Sequence, residues 1–142
     1  MLRSEFPDAG EQSPAALLEA YGSVLTETVA SVGADSVAES TGLDRNTVDA
    51  VANGDVGPLS VEDAVAVLAT DPDRPDADAL RAEAQDILLM GMTTAVMDVE
   101  SLASGINSQL EPKEIQQKIE GRHPMTLEEY ALLHSHIESE KR

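Results

Sequence analysis

With 142 residues, 42% of them hydrophobic, the chain is long enough to build its own core as one domain or two small ones. Aromatic residues make up only 2% (Phe6, Tyr21 and Tyr130), which excludes a base-stacking platform for single strands, and the lack of cysteine excludes disulfides, thiolate catalysis and cysteine-ligated zinc. The 27 acids against 9 bases give a formal charge of -18, spread along the chain instead of gathered in a tail, so the charge describes a solvated surface more than a partner.

Residues 1–12 show no helical period and hold Pro7 and Gly10, so a flexible tail is expected; no long apolar run follows Arg3, and no secretory signal is read. A first unit then covers 13–69. Ser13 is a good N-cap, Pro14 suits the first helical position, the stripe Leu18, Tyr21, Leu25, Thr28, Val29 and Val32 has helical spacing, and Gly33 ends the helix. A short helix at about 36–41 points Val37 and Ala38 inward, and the next begins at Asp44 with Val48, Val51 and Ala52 on one side before Gly54. The fourth begins at Ser60, has Asp63 as an imperfect capping box, and buries Val61, Ala64, Val65 and Leu68. Residues 70–78, "TDPDRPDAD", break the pattern with two prolines among aspartates and are expected to be an acidic linker.

The second unit, 79–142, repeats the plan. A long helix over about 78–97 carries Leu80, Ala84, Ile87, Leu88, Met92, Ala95 and Val96; its run "ILLMGMTTAVM" is too short to span a bilayer and is apolar almost all round, implying burial on more than one side, either in a fused core or at a homodimer face. Asp98 opens a short helix, Glu111 and Pro112 open another with Ile115 and Ile119 inward and Gly121 at its end, and Thr126 with Glu129 forms a full capping box for the last. The pairs 48/115, 52/119, 54/121, 25/92 and 29/96 are all separated by 67, which suggests internal duplication. The expectation is an all-α fold of about eight helices, two related four-helix, helix-turn-helix-like units sharing one core.

Residues 37–69, "VAESTGLDRNTVDAVANGDVGPLSVEDAVAVLA", resemble the λ-repressor-like (Cro and Xre type) helix-turn-helix family. Ala38 suits the tight helix crossing, Gly42 a positive-φ turn, and Val48 and Val51 the buried side of the second helix. The resemblance implies that the outward residues Asp44, Arg45, Asn46, Asp49, Ala50 and Asn53 face the major groove, with Arg45 reading guanine or holding phosphate and Asn46 reading adenine. Asp49 and Ala50 supply no donor at the centre of that face. In the second unit the turn "SGINSQLEPK" is two residues longer and lacks the glycine, yet its outward set is chemically better suited: Lys113, Gln116, Gln117 and Glu120, with Lys118 beside them and Arg122 just after.

The acidic style also resembles that of halophilic archaea, and together with the architecture it resembles an uncharacterised haloarchaeal protein family. In molar salt a Debye length of about 3 Å removes long-range repulsion from DNA but not a carboxylate in the interface. No nucleophile–base pair or glycine-rich phosphate loop is present, and His134 and His136, two apart on one helix, suit packing better than metal ligation, so no catalytic, metal or cofactor site is expected. The expected function is that of a non-enzymatic, cytoplasmic, DNA-binding transcriptional regulator acting on double-stranded DNA. The alternative is a protein-interaction or dimerisation module on a helix-turn-helix scaffold that no longer binds DNA, with a protein partner or a homodimer in place of the duplex.

Overall fold

Five side chains, those of Ser13, Ser60, Asp76, Asp98 and Thr126, each accept the backbone N–H three residues ahead, and each starts a helix. In the computed structural model, which describes residues 5–141, these caps belong to eight α-helices, and no named strand is present among the described residues. They are α1 (Pro14–Val32), α2 (Ala34–Thr41), α3 (Arg45–Ala52), α4 (Val61–Leu68), α5 (Ala77–Ala95), α6 (Val99–Ile106), α7 (Pro112–Ile119) and α8 (Leu127–Ser139), preceded by a 3-10 turn at Ala9–Glu11. The fold is all-α. Thr126 and Glu129 close their capping box in both directions, at 3.1 and 3.0 Å, whereas Ser60 makes only the forward bond to Asp63 N–H.

The order long, short, short, fourth helix occurs twice, and the two copies meet at equivalent places. Val61 N–H donates to the Met125 carbonyl and Leu127 N–H to the Leu59 carbonyl, both at 2.8 Å, around an isolated antiparallel bridge between Ser60 and Thr126. Antiparallel pairing of equivalent segments places a local two-fold axis between them. Each fourth helix then packs on both long helices, α8 on α1 and α5, α4 on α5 and α1, so the units share one hydrophobic core. The three rings lie together in it: Phe6 and Tyr21 meet edge-on at 4.8 Å and Tyr21 and Tyr130 at 5.9 Å, while the Tyr130 hydroxyl donates to the Ala84 carbonyl at 2.8 Å.

Four expectations change. The long helices correspond with a separation of 63, not 67: both have 19 residues, their caps are Ser13 and Asp76, and Leu17, Leu25 and Val29 match Leu80, Leu88 and Met92 in burial. Leu17, not Leu18, is the buried member of the first turn. Val96, expected inward, is 78% exposed, and Leu89 and Met90 are exposed too, so α5 is buried on one side only.

Finally, residues 5–12 do not form a loose tail. Phe6 and Ala9 are buried, and Ser135 Oγ donates to the Gln12 carbonyl at 2.7 Å, fastening this segment along α8. The first four residues of the expected tail lie outside the described residues. The acidic stretch 70–78 is ordered locally, with the Asp71 carboxylate accepting Asp73 N–H at 2.9 Å and Arg74 reaching Glu5 at 3.1 Å.

Candidate functional site

In the first unit α2 ends on Gly42, whose φ of 76° is left-handed, and the Gly42 N–H returns to the carbonyl of half-buried Ala38 at 3.0 Å. Thr41 Oγ1 donates to the Val37 carbonyl and accepts Leu43 N–H at 3.2 Å, which fixes the short turn into α3. Val48 and Val51 are buried, and Thr26 Oγ1 of α1 donates to the Val51 carbonyl at 2.9 Å, so α3 is held with its other side in solvent.

That side carries Arg45, Asn46 and Asp49, all exposed. Arg45 is held between two acids: Nε lies 3.0 Å from Asp49 one turn on, and Nη1 bonds Asp35 of α2. The hydrogen bond that Arg45 donates to Asp49, then the charge of Asp35, raise the guanidinium pKa above its ordinary value. Asn46 remains exposed beside this pair, with acids on either side of it in sequence at Asp44 and Asp49.

The second unit reaches similar geometry by other residues. Asn107, at φ 50°, ends α6 where Gly42 ends α2, and Gln85 Nε2 of α5 donates to the Ile119 carbonyl at 2.9 Å, fastening α7. Lys113 and Gln116 are exposed and Gln117 is half-buried. Lys118 points elsewhere: its ammonium sits 2.6 Å from Glu129 and is mostly covered, tying α7 to the cap of α8. Burial alone would raise the Glu129 pKa, but the hydrogen bonds from Lys118 and Thr126 outweigh it and hold the carboxyl below its usual range. Arg122 is exposed and lies 3.4 Å from Glu120.

Among the described residues Lys113 is thus the one lysine or arginine without an ion-pair partner; Arg74, Arg81 and Lys141 pair with Glu5, Asp78 and Glu138. Sequence reading missed this because Arg45, Arg74 and Lys118 each meet an acid from another segment, Asp35, Glu5 and Glu129. It also missed a groove of about 550 Å³ between α4, α5 and α7, where Arg81, Gln85, Lys118, Arg122 and His123 stand over Leu88 and Ile119, with Glu62 and Glu120 on the same rim. The charge is uneven: residues 1–78 hold 16 acids and 3 bases, residues 79–142 hold 11 acids and 6 bases.

A protein-family model matches residues 17–140, from the first turns of α1 to just past α8. The chain belongs to the family of unknown function DUF5791. No curated protein and no solved structure matches it.

Two further features of this DUF5791 chain bear on function. His134 is buried, its Nδ1 hydrogen-bonded to the Tyr21 hydroxyl and its Nε2 3.8 Å from Glu138, at the edge of a cavity of about 240 Å³ shared with Phe6, Ile87, Met90 and Lys141. Burial, with the charge of Lys141 adding to it, lowers its pKa from 6.5 to about 3. His134 is therefore a neutral packing residue. His136 lies against Gly105 of α6, and no group of three or more His, Asp or Glu could share a metal ion among the described residues.

The second feature is the solvent side of α5, where Leu89, Met90 and Val96 are the exposed large hydrophobic residues among those described. The apolar run 87–97 was legible in the sequence; which of its side chains face water was not.

Proposed function

We propose that this protein is a non-enzymatic protein-interaction module built on a Cro/Xre-like helix-turn-helix scaffold, with DNA reading lost. The observation that carries this reading is the pairing of its cations. A duplex-binding protein of ordinary affinity neutralises roughly 6–10 phosphates with lysine and arginine, and that term supplies most of its non-specific attraction. Here Arg45 is paired with Asp35 and Asp49 and Lys118 with Glu129, and among the described residues Lys113 alone has no ion-pair partner. Exposed pairs such as Arg45–Asp35, Arg81–Asp78 and Arg122–Glu120 open at little cost, but their carboxylates would stay beside the phosphate.

A second reading, a DNA-binding regulator that reads through α7, rests on Lys113 and Gln116 standing exposed on a helix that follows a left-handed turn. Retention of fragmented genomic DNA in molar KCl separates the two. The interaction module retains no fragment above a bulk-DNA control. Enrichment of a defined sequence, lost in Gln116→Ala, would establish the regulator and sink the module.

A further inference from the structure

The end of α5 holds a conformation that its sequence does not favour. Three helices close with the same bond, from the N–H just beyond the left-handed residue to the carbonyl five back: Asp55 to Ala50 at 2.9 Å, Arg122 to Gln117 at 2.8 Å, and Met97 to Met92 at 2.9 Å. In α3 and α7 the left-handed residue is Gly54 or Gly121; in α5 it is Val96, with φ 55° and ψ 55°. A β-branched residue in this region is strained, and glycine would serve the motif better. Strain held at an exposed residue is a common mark of a contact site.

The surroundings of Val96 indicate the contact. From Ile87 to Met97 there are eleven residues without a charge, in a chain of formal charge -18. The solvent side alternates large and small: Leu89 (42% exposed), Met90 (60%) and Val96 project near Thr93 and Thr94. Both threonine hydroxyls already donate within the helix, Thr93 to the Leu89 carbonyl at 3.1 Å and Thr94 to the Met90 carbonyl at 2.9 Å. Covering this strip leaves neither hydroxyl unsatisfied.

We infer that this strip of α5 docks the same strip of a second copy, related by a two-fold axis. The inference rests on the interaction-module reading and names its partner. A basic partner would be drawn to the acidic faces and gain nothing from an uncharged strip. Even in molar salt carboxylates brought into direct contact repel, so two copies of so acidic a chain meet at least cost where charge is absent. A two-fold contact must also be self-complementary, which large side chains set beside threonines satisfy, the knobs of one copy lying over the small residues of the other. The strip is small, so the contact is weak and concentration-dependent.

The test is molar mass by light scattering against concentration in molar KCl. The wild type rises from 15.0 kDa toward twice that value. Thr93→Glu, an exposed change to a better helix former, keeps the fold and weakens association tenfold or more; Thr93→Lys does the same, and an equimolar mixture of the two recovers it. Val96→Gly raises the unfolding temperature while weakening association, a pair of signs that a purely structural role would not give. A wild type fixed at 15.0 kDa up to millimolar concentration would overturn the dimer and leave the module reading standing. Association unaltered in Thr93→Glu would also overturn it. Sequence-selective DNA retention would sink the module reading and leave the mass result to stand.

Discussion

Replacing His134 with glutamine should make the protein resist mild acid better than the wild type. Glutamine can keep a hydrogen bond with the Tyr21 hydroxyl but cannot take up a proton. In the folded wild type burial lowers the His134 pKa from 6.5 to about 3, so between these values the unfolded chain binds a proton that the folded chain refuses. The folded pKa is depressed, so the stability that neutral His134 contributes is complete above pH 6.5 and drains away as pH falls toward 3. Relative to His134→Gln, the wild type should lose up to about 1.4 kcal/mol per pH unit over that window, a few kcal/mol in all.

Denaturant unfolding of both proteins at steps between pH 7.5 and 4 measures the difference. Comparing the two removes the background titration of the many carboxylates. Parallel profiles would mean that His134 titrates near its ordinary value and is not sealed by Phe6 and Tyr130.

Helix starts were legible because a cap is a local device: Ser13, Ser60 and Thr126 each act on a group three residues away. The correspondence between the two halves was legible where a left-handed glycine pins the register, at Gly54 and Gly121, and misread in the long helices, where only an apolar stripe was available. Shifting a helix by four residues turns it by about 40°, so Leu25 matches Leu88 or Met92 almost equally well by pattern. Only the caps at Ser13 and Asp76 decide for 63. The second half of the Arg45 clamp, Asp49, stands at i+4 and could be read; the first, Asp35, belongs to another helix and required the turn at Gly42 to bring it round. Lys118 looked like a free cation because Glu129, which covers it, is placed by the capping box of α8.

The covering of His134 gives the second large effect. A methyl group on Gly10 would lie 2.8 Å from the Glu138 carbonyl carbon and oxygen and 2.9 Å from Ser139 N. These are backbone atoms of α8 and cannot swing aside, so Gly10→Ala must lift the segment from Phe6 to Gln12. Lifting it exposes Phe6, costing about 2–3 kcal/mol of burial, separates its edge-on contact with Tyr21, worth about 1 kcal/mol more, and breaks the Ser135–Gln12 bond. The expected loss at pH 7.5 is about 3 kcal/mol or more. Gly91→Ala provides the contrast: its methyl would meet one side-chain atom, Ile137 Cγ2 at 2.7 Å, which this β-branched residue relieves by a small shift of the helix pair, and the helix gains about 1 kcal/mol of propensity in return. Gly10→Ala should therefore cost clearly more than Gly91→Ala, although both approaches are close. It should also lose part of the acid sensitivity that His134→Gln removes, because water then reaches the imidazole past the displaced Phe6 and its pKa moves back toward 6.5. A Gly10→Ala protein as stable as the wild type, with an unchanged pH profile, would mean that the segment does not seal His134 against α8.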